Sequence, residues 1–396
     1  MIDDSRRSFA LKVLYGNTFA MAVGFYMLVP LLAFHLLNDL LLTIAVVGAL
    51  TAVRTAAQNG LMPIAGWVAD RINFRRAILI GVLVRAAGFA LLGTAESIPA
   101  LAIASVLTGL GGALFHPASY AAYAALSTDG DRVRIYSTRE MVSNVGFIVG
   151  PVLGGFLAGV DFGIVAFSSA GMFVAAFFVS LFGLPADLSH NSGGAPRLRA
   201  AFIDRPFLRY CLLVIGMSAL IAQFYLVIPF RAGELLPGPT GLGMVYSGAA
   251  IVMVATMLPL TGLANRLLPR YAILAIAAVA LGVGVALIGL ANSVAFMLAG
   301  VGVFVIGQML AQPVLNAVVS NFAPDGSVAS YFGVQGLATA IGGIIGSTAG
   351  GLIYTIAGSA GPAAFWVWFS FPLWGALVCV MFVLFGPRDR STPEAP

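Results

Sequence analysis

The chain has 396 residues, of which 60% are hydrophobic and only 9% are charged, whereas about 25% of the residues in an ordinary soluble domain are charged. This composition, with a mean hydropathy of +1.01, excludes a soluble globular enzyme and predicts a polytopic helical membrane protein. The net charge of +5 does not indicate nucleic-acid binding, because the basic residues occur in short clusters between apolar runs, a pattern typical of membrane topology signals.

Apolar runs separated by polar breaks predict the transmembrane helices. A bilayer core about 30 Å thick is crossed by roughly 20 apolar residues, so a chain of this length has room for about a dozen spans with short loops. We predict twelve spans, near residues 10–36, 42–67, 77–95, 98–124, 137–158, 163–184, 207–231, 241–263, 271–291, 294–320, 328–356 and 363–386.

One long polar stretch divides the chain. It covers residues 185–206 and predicts a cytoplasmic central loop that joins an N-terminal six-helix bundle at 1–184 to a C-terminal six-helix bundle at 207–396. Glycines that recur at a constant offset indicate an internal repeat, as in many transporters. Counterparts 196 positions apart are Gly146 and Gly342, Gly150 and Gly346, and Gly154 and Gly350.

The basic residues also predict an orientation. With both termini in the cytoplasm, 17 of the 20 basic residues fall on the cytoplasmic side, the opposite loops contain only Arg231, and Arg54 and Arg85 lie within spans. Because lysine and arginine accumulate in cytoplasmic loops, we predict that both termini are cytoplasmic.

Two arginines lie inside apolar spans, where a charge is costly and therefore marks a candidate functional position. Arg54 lies near the middle of span two, with Gln58 one turn later on the same face. We interpret Arg54 either as a contact for an anionic substrate group or as a structural partner of Glu140 or of backbone. Arg85 lies near the start of span three, and its side chain is expected to extend to the cytoplasmic surface.

The segment after span two is a candidate conformational latch. It contains Gly66, Asp70, Arg71, Arg75 and Arg76. An aspartate at the end of a span can accept hydrogen bonds from the start of a neighbouring helix, and can be released when the two halves of a transporter move. The alternative is an ordinary basic topology loop.

Span five carries a glycine motif and a titratable group. Gly146, Gly150, Pro151, Gly154 and Gly155 predict a helix face that another backbone can approach closely, with a bend at the proline. The same span begins with the adjacent pair Arg139 and Glu140, which is either a structural ion pair or part of a proton pathway. In span four, His116 is a second candidate proton carrier, since a histidine can titrate near neutral pH.

Amide and aromatic side chains in other spans predict a mixed cavity between the halves. Met21, Phe25 and Tyr26 in span one would supply adaptable apolar walls. Span ten places three amides at spacing four on one stripe. The cavity candidates are Asn144, Gln223, Tyr225, Gln308, Gln312, Asn316 and Gln335. The histidines lack metal-ligand spacing and the chain lacks a phosphate-binding loop, so we predict no metal, no cofactor and no enzyme activity.

The span-two and span-five motifs together resemble the signature motifs of the major facilitator superfamily. The span-five motif is similar to that of its drug:proton antiporter branch, and residues 54–89 resemble bacterial multidrug-resistance transporters. The resemblance covers essentially the whole chain and implies an all-α fold of twelve transmembrane helices in two pseudo-symmetric six-helix bundles. It further implies that Asp70 docks near the start of span eleven and stabilises the outward-open state, and that the protein is an exporter.

These features favour proton-coupled efflux of small amphipathic molecules across a bacterial inner membrane by alternating access. The predicted partners are a small-molecule substrate, protons and membrane lipid, with no nucleic acid, and the protein is expected to function as a monomer. One alternative is export of an anionic metabolite such as a carboxylate metal chelator, because embedded positive charge exceeds negative charge. Proton-coupled uptake and lipid flippase activity also fit the predicted fold, whereas a scaffold without transport is disfavoured because it needs no latch.

Overall fold

A computed structural model describes residues 4–128, 130–158, 161–186, 188, 198–236 and 239–385. Within these ranges the chain forms helices and no strand. The first half contains six long helices: α1 (Asp4–Asn38), α2 (Ile44–Ile72), α3 (Phe74–Leu92), α4 (Ile98–Ala125), α5 (Arg132–Ala158) and α6 (Phe162–Gly183).

The second half contains nine further helices, several of them short. They are α7 (Leu198–Ile203), α8 (Arg205–Ile221), α9 (Val227–Leu235), α10 (Pro239–Leu267), α11 (Arg270–Gly289), α12 (Val294–Phe322), α13 (Val328–Ser359), α14 (Ala364–Trp368) and α15 (Ser370–Phe385). A 3-10 turn, Ala222–Tyr225, separates α8 from α9, so the predicted span seven is interrupted near its middle.

In the described ranges, ten helical segments are long and apolar enough to cross a membrane. The helices α2 and α3 are not among them. Their charged and amide side chains explain this, because α2 carries Arg54 and Gln58 in its middle and α3 carries three arginines in 19 residues. Both helices match predicted spans, and the polytopic all-α fold predicted from the sequence is confirmed.

Local sequence explains where several of these helices begin. The side-chain oxygens of Thr43, Ser97, Asp161 and Asp204 each accept a hydrogen bond from the backbone N–H three residues later. Ser, Thr and Asp are favoured at this position because they satisfy a donor that the first helical turn leaves free. These caps define the starts of α2, α4, α6 and α8.

The prediction that span two ends near residue 67, before Asp70 and Arg71, is wrong. The helix α2 continues through Ile72 and carries both residues. No proline or glycine lies between Gly66 and Asn73. Asn73 forms the turn with a φ of 90°, a backbone conformation that Asn tolerates better than most residues. Its side-chain oxygen accepts a hydrogen bond from the N–H of Arg75 at 2.9 Å. The turn therefore fixes the position of the basic residues that follow.

The chain forms two compact units. Unit 1 comprises Met1–Leu198, Met253–Leu258 and Asn316–Leu337, and therefore includes the end of α12 and the start of α13. Within it, α1 packs against α5 and α6, and α4 packs against α2 and α3. A boundary between two six-helix bundles at residues 184–207 stays a prediction.

Unit 2 comprises Arg199–Val252, Pro259–Leu315 and Ala338–Pro396. In this unit α11 packs against α15, and both contact α8. Its largest fully buried side chains include Tyr210, Phe304 and Phe371. The hydroxyl of Tyr210 donates to the carbonyl oxygen of Leu315 at 2.8 Å, which satisfies a polar group that would otherwise be costly to bury.

Candidate functional site

Asp70 of α2 binds the first turn of α13, within unit 1. One carboxylate oxygen accepts a hydrogen bond from the backbone N–H of Ala329 at 2.8 Å. The other oxygen accepts from the backbone N–H of Ser330 at 2.8 Å and from its hydroxyl at 2.6 Å. The first N–H groups of a helix have no partner within the helix and carry partial positive charge, so an ionised aspartate is well matched to this position.

Close backbone approach accompanies this interaction. A methyl group added at Gly66 would overlap the carbonyl oxygen of Ala329 and lie 2.8 Å from its carbonyl carbon. A methyl group added at Gly333 would overlap the carbonyl oxygen of Met62. We call the set Gly66, Asp70, Ala329, Ser330 and Gly333 the α2–α13 contact. It lies at the start of α13, the position implied by the resemblance, and its role as a latch stays a prediction.

The three arginines of the span-two motif have different surroundings. The guanidinium carbon of Arg71 lies 4.9 Å from the ring centre of Trp67, one turn earlier on α2. Arg75 is half-buried and donates to the carbonyl oxygen of Leu181 on α6. Arg76 is exposed. The structure therefore gives Arg75 a tertiary anchoring contact and leaves Arg76 at the surface.

A similar anchor joins the start of α1 to the segment before α5. Arg7 donates to the carboxylate of Asp131, and the backbone N–H of Thr128 donates to the same carboxylate at 2.7 Å. Burial raises the pKa of Asp131, but the hydrogen bonds from Thr128 and Arg7 outweigh it and leave the pKa below its ordinary value. The pair is therefore ionised at neutral pH.

Span five packs its glycines against α1. Gly146, Gly150 and Gly154 are buried, and Gly155 is exposed. A methyl group would lie 2.5 Å from the Cβ of Ala22 at Gly146 and 2.9 Å from the carbonyl oxygen of Val23 at Gly150. Their spacing of four places the three buried glycines on one face, and Pro151 lies within the same helix.

We expect Gly154→Ala to destabilise the protein by about 1–3 kcal/mol, because the added methyl group would overlap the carbonyl oxygen of Met27 on α1. The neighbouring variant Gly155→Ala is the matched control, since nothing lies within 4 Å of its position, and its effect should stay within about 0.5 kcal/mol. Thermal unfolding of the purified variants measures both. Equal stability of the two variants would contradict the packing role.

Unit 2 contains the same kind of helix contact. A methyl group at Gly342 or Gly346 of α13 would overlap the carbonyl oxygen of Ile215 or Ala219 on α8. Gln223 lies one turn after Ala219, is only 1% exposed, and donates to the carbonyl oxygens of Ala219 and Gly346 at 2.9 and 2.8 Å. The Gln223 side chain therefore joins α13 to the interrupted end of α8.

An ionic cluster links α5 to the end of α12 inside unit 1. Arg139 donates to Glu140, and its guanidinium carbon lies 4.3 Å from the ring centre of Tyr120. The same oxygen of Glu140 accepts from the side-chain amide of Asn316 at 3.4 Å. A change in the charge of Glu140 would therefore be transmitted to α12.

Arg54 and Arg85 approach the same aromatic ring. Their guanidinium carbons lie 5.5 and 4.8 Å from the ring centre of Phe25 on α1. Arg54 is half-buried, and Glu140, its proposed structural partner, binds Arg139 instead. The expectation that Arg85 extends to the surface is wrong, because its side chain is 4% exposed and packs among Phe25, Phe89 and Phe173.

The remaining candidates have fewer contacts. Gln58 and Gln308 each bury a side-chain oxygen that has no hydrogen-bond partner in the described part of the chain. Tyr225 is 61% exposed, whereas Gln335 is buried. His116, Asn144 and Gln312 are half-buried, and the His116 ring contacts Phe115 with 5.5 Å between ring centres.

Sequence reasoning did not name the partners of these groups. Ala329 and Ser330 bind Asp70 through backbone N–H groups, which every residue except proline supplies, and only the Ser330 hydroxyl adds a side-chain donor. Tyr120 was also missed, although it lies within predicted span four, in the last turns of α4. Arg85 was identified as an embedded charge, but its burial depends on Phe25 and Phe173 of two other spans as well as on Phe89 of its own helix.

Comparison with known proteins agrees with this architecture. The family model of the Major Facilitator Superfamily matches residues 14–235 and 224–396. The chain is 30% identical over 337 residues to the Multidrug resistance protein MdtH of Aeromonas hydrophila, covering 85% of both chains. It is 30% identical over 358 residues to MdtH of Yersinia pestis, covering 88% of this chain and 87% of the relative.

Two solved structures share the fold. The human organic anion transporter MFSD10 (TETRAN) aligns with a TM-score of 0.77 at 17% identity, covering 96% of this chain and 99% of that chain. A bacterial homologue of the iron transporter ferroportin, in an outward-facing state, aligns with a TM-score of 0.77 at 15% identity, covering 96% and 100%. At these identities the likeness shows the fold alone.

The family match covers nearly the whole chain, and it agrees with the membrane-length helices and with the glycine contacts of α5 and α13. The resemblance stated from the two motifs is therefore confirmed. The chain is an integral membrane protein that transports a small molecule and is not an enzyme. It belongs to the major facilitator superfamily.

Proposed function

We propose that this transporter exports small amphipathic molecules from the bacterial cytoplasm in exchange for protons, by alternating access. The observation that carries the proposal is the binding of Asp70 to the first turn of α13. Hydrogen bonds to free N–H groups at a helix start can form in one conformation and be released in another without disrupting either helix. The name of the multidrug resistance relatives supports a broad range of substrates.

Glu140 is the proton-exchange residue in this proposal. Its carboxylate is held by Arg139 and by Asn316 of α12, and α5 contacts α12 again where the hydroxyl of Tyr136 lies 2.9 Å from that of Ser320. Protonation removes the negative charge that attracts Arg139 and weakens the bond from Asn316. Proton binding would therefore loosen the link between α5 and α12, and substrate binding would favour proton release.

The proposal includes the membrane orientation. Both termini face the cytoplasm of a bacterial inner membrane, because the basic clusters then follow the positive-inside rule. The α2–α13 contact then lies at the cytoplasmic ends of its helices, where its release would open a path from the cytoplasm. One chain contains both units, so a monomer is sufficient for the cycle.

Everted membrane vesicles test this function directly. Respiration acidifies their interior, and a pH-sensitive dye reports protons that leave when a solute is added outside. Tetraphenylphosphonium and a set of aromatic carboxylates and sulfonates serve as solutes. We expect at least one class to release protons from vesicles that contain the protein and not from vesicles that lack it. If none of the solutes releases protons, proton-coupled export is contradicted.

Glu140→Gln should abolish solute-driven proton release while leaving solute exchange across the membrane. Glutamine keeps the size of the side chain and can still accept a hydrogen bond from Asn316, but it cannot carry a proton at this position. Glu96→Gln is the control, because Glu96 is exposed between α3 and α4. Normal proton release in the Glu140 variant would assign proton exchange to another residue, with His116 next to be tested.

A further inference from the structure

We propose that Arg54 binds the anionic group of an aromatic substrate inside unit 1, with Arg85 supplying a second positive charge close by. The inference rests on the proposed export function and names its substrate class. That class is amphipathic organic anions that carry a carboxylate or sulfonate beside an aromatic ring.

The first observation is uncompensated positive charge. Neither arginine forms an ion pair with the part of the chain that the structure describes. The interior acids of unit 1 have other partners, since Glu140 binds Arg139 and Asp70 binds Ala329 and Ser330. Other described acids of the unit lie at helix ends or in the segments between helices: Asp4, Asp39, Glu96, Asp131, Asp161 and Asp325. A charge inside a membrane protein is strongly unfavourable without a partner, so a bound anion would relieve both arginines.

The second observation is that the two charges converge. Both guanidinium carbons lie near the ring of Phe25, and the two distances of 5.5 and 4.8 Å limit their separation to about 10 Å. The two arginines come from different helices, α2 and α3, which both pack against α4. Two positive charges at this distance repel each other in a medium of low dielectric constant. An anion that contacts one of them is attracted by both.

The two arginines have distinct roles. Arg85 is 4% exposed, and its buried Nε–H has no hydrogen-bond partner in the described chain. Its guanidinium is held by Phe89 and Phe173 at 5.9 and 5.7 Å. Arg54 is half-buried and therefore reachable. Arg54 contacts the anion, and Arg85 is a positioning residue that contributes a second positive charge.

The aromatic preference follows from the neighbouring side chains. Phe25 and Tyr26 on α1 form an edge-to-face pair with ring centres 5.2 Å apart, and Tyr26 forms another with Phe147 on α5 at 4.8 Å. All three are half-buried, so each leaves part of its surface for a ligand. An aromatic ring can extend this edge-to-face packing while its anionic group reaches Arg54. A lipophilic cation would instead face two positive charges.

Matched probes test the inference with the purified full-length chain. They are naphthalene-1-sulfonate, neutral naphthalene-1-sulfonamide and 1-naphthyltrimethylammonium, which share a ring system and differ in charge. We expect the sulfonate to bind at least about tenfold more tightly than the other two, as measured by calorimetry. A sulfonate that binds no better than the sulfonamide would overturn the proposal, and this result requires no variant.

Variants assign the interaction to residues. Arg54→Gln should weaken sulfonate binding about tenfold or more, because a charge-assisted hydrogen bond is lost, and should leave cation binding unchanged or stronger. Arg54→Lys keeps the charge and should retain most of the affinity. Arg85→Gln should weaken binding of the sulfonate but not of the other two probes, and by a smaller factor than Arg54→Gln. Arg209→Gln, which removes one exposed arginine of α8, is the control for net charge. Sulfonate affinity that is unchanged in Arg54→Gln would refute the site.

Failure of this inference is distinguishable from failure of the export function. If vesicles release protons on addition of tetraphenylphosphonium but the purified protein does not prefer the sulfonate, the anion site is contradicted and the export function stands. If sulfonate binding depends on Arg54 but no solute releases protons from the vesicles, the anion site is supported and proton-coupled export is contradicted.

Discussion

Replacing Asp70 with asparagine is expected to reduce transport at least about tenfold while the protein stays folded and abundant. An asparagine side chain offers one acceptor oxygen, but three donors from Ala329 and Ser330 point at this position. Its NH₂ group would face at least one of these donors, and the charge that matches the helix start is lost. Charge-assisted hydrogen bonds contribute about 1.5–3 kcal/mol each, so the conformational equilibrium should shift about tenfold or more. Solute-driven proton release measures the effect.

Two further variants separate the hydrogen bonds from the charge. Ser330→Ala removes one of the three donors and keeps both backbone N–H groups, so we expect a smaller loss of transport than in Asp70→Asn. Asp161→Asn is the matched control, because Asp161 accepts one bond at the start of α6 and asparagine caps a helix equally well. Wild-type transport in Asp70→Asn would show that the contact is not a latch.

Most of the fold could be predicted because a helix that crosses the lipid bilayer leaves a long apolar run in the sequence. A span is predominantly apolar, so apolar runs predicted helix positions that agree with the structure within several residues, for example 98–124 against Ile98–Ala125. The short helix α7 and the 3-10 turn after α8 were not predicted. The turn contains Gln223, whose side chain donates to the carbonyl oxygen of Gly346 on α13, a partner that no local pattern identifies.

The candidate site was less predictable, since it depends on which faces of the helices meet. Arg54 and Arg85 could be recognised as embedded charges from position alone. Whether each one is exposed depends on residues far away in the chain, and Phe25 and Phe173 on α1 and α6 decided the outcome for Arg85. Docking of Asp70 near the start of α13 was implied by the family resemblance, whereas two of the three donors that bind it are backbone N–H groups without a sequence signature.

The second large effect is expected at Gly66. Gly66→Ala should prevent the α2–α13 contact from closing, because the added methyl group would overlap the carbonyl oxygen of Ala329 and lie 3.1 Å from the Cα of Ser330. The obstacle is backbone, which cannot rotate away as a side chain can. The two helices must therefore separate, and Asp70 loses its hydrogen bonds without itself being changed. We expect a loss of transport comparable to that of Asp70→Asn.

Thiol labelling distinguishes an open contact from misfolding. Val334→Cys on α13, in a background without Cys211 and Cys379, places a thiol at a position that is 4% exposed. Gly66→Ala should increase its rate of maleimide labelling about tenfold, as expected for a contact that is no longer closed most of the time. Gly60→Ala on the same helix is the control, since nothing lies within 4 Å of its position. If both variants label at the wild-type rate while transport is lost in Gly66→Ala, the glycine acts on transport by a route other than the separation of α2 from α13.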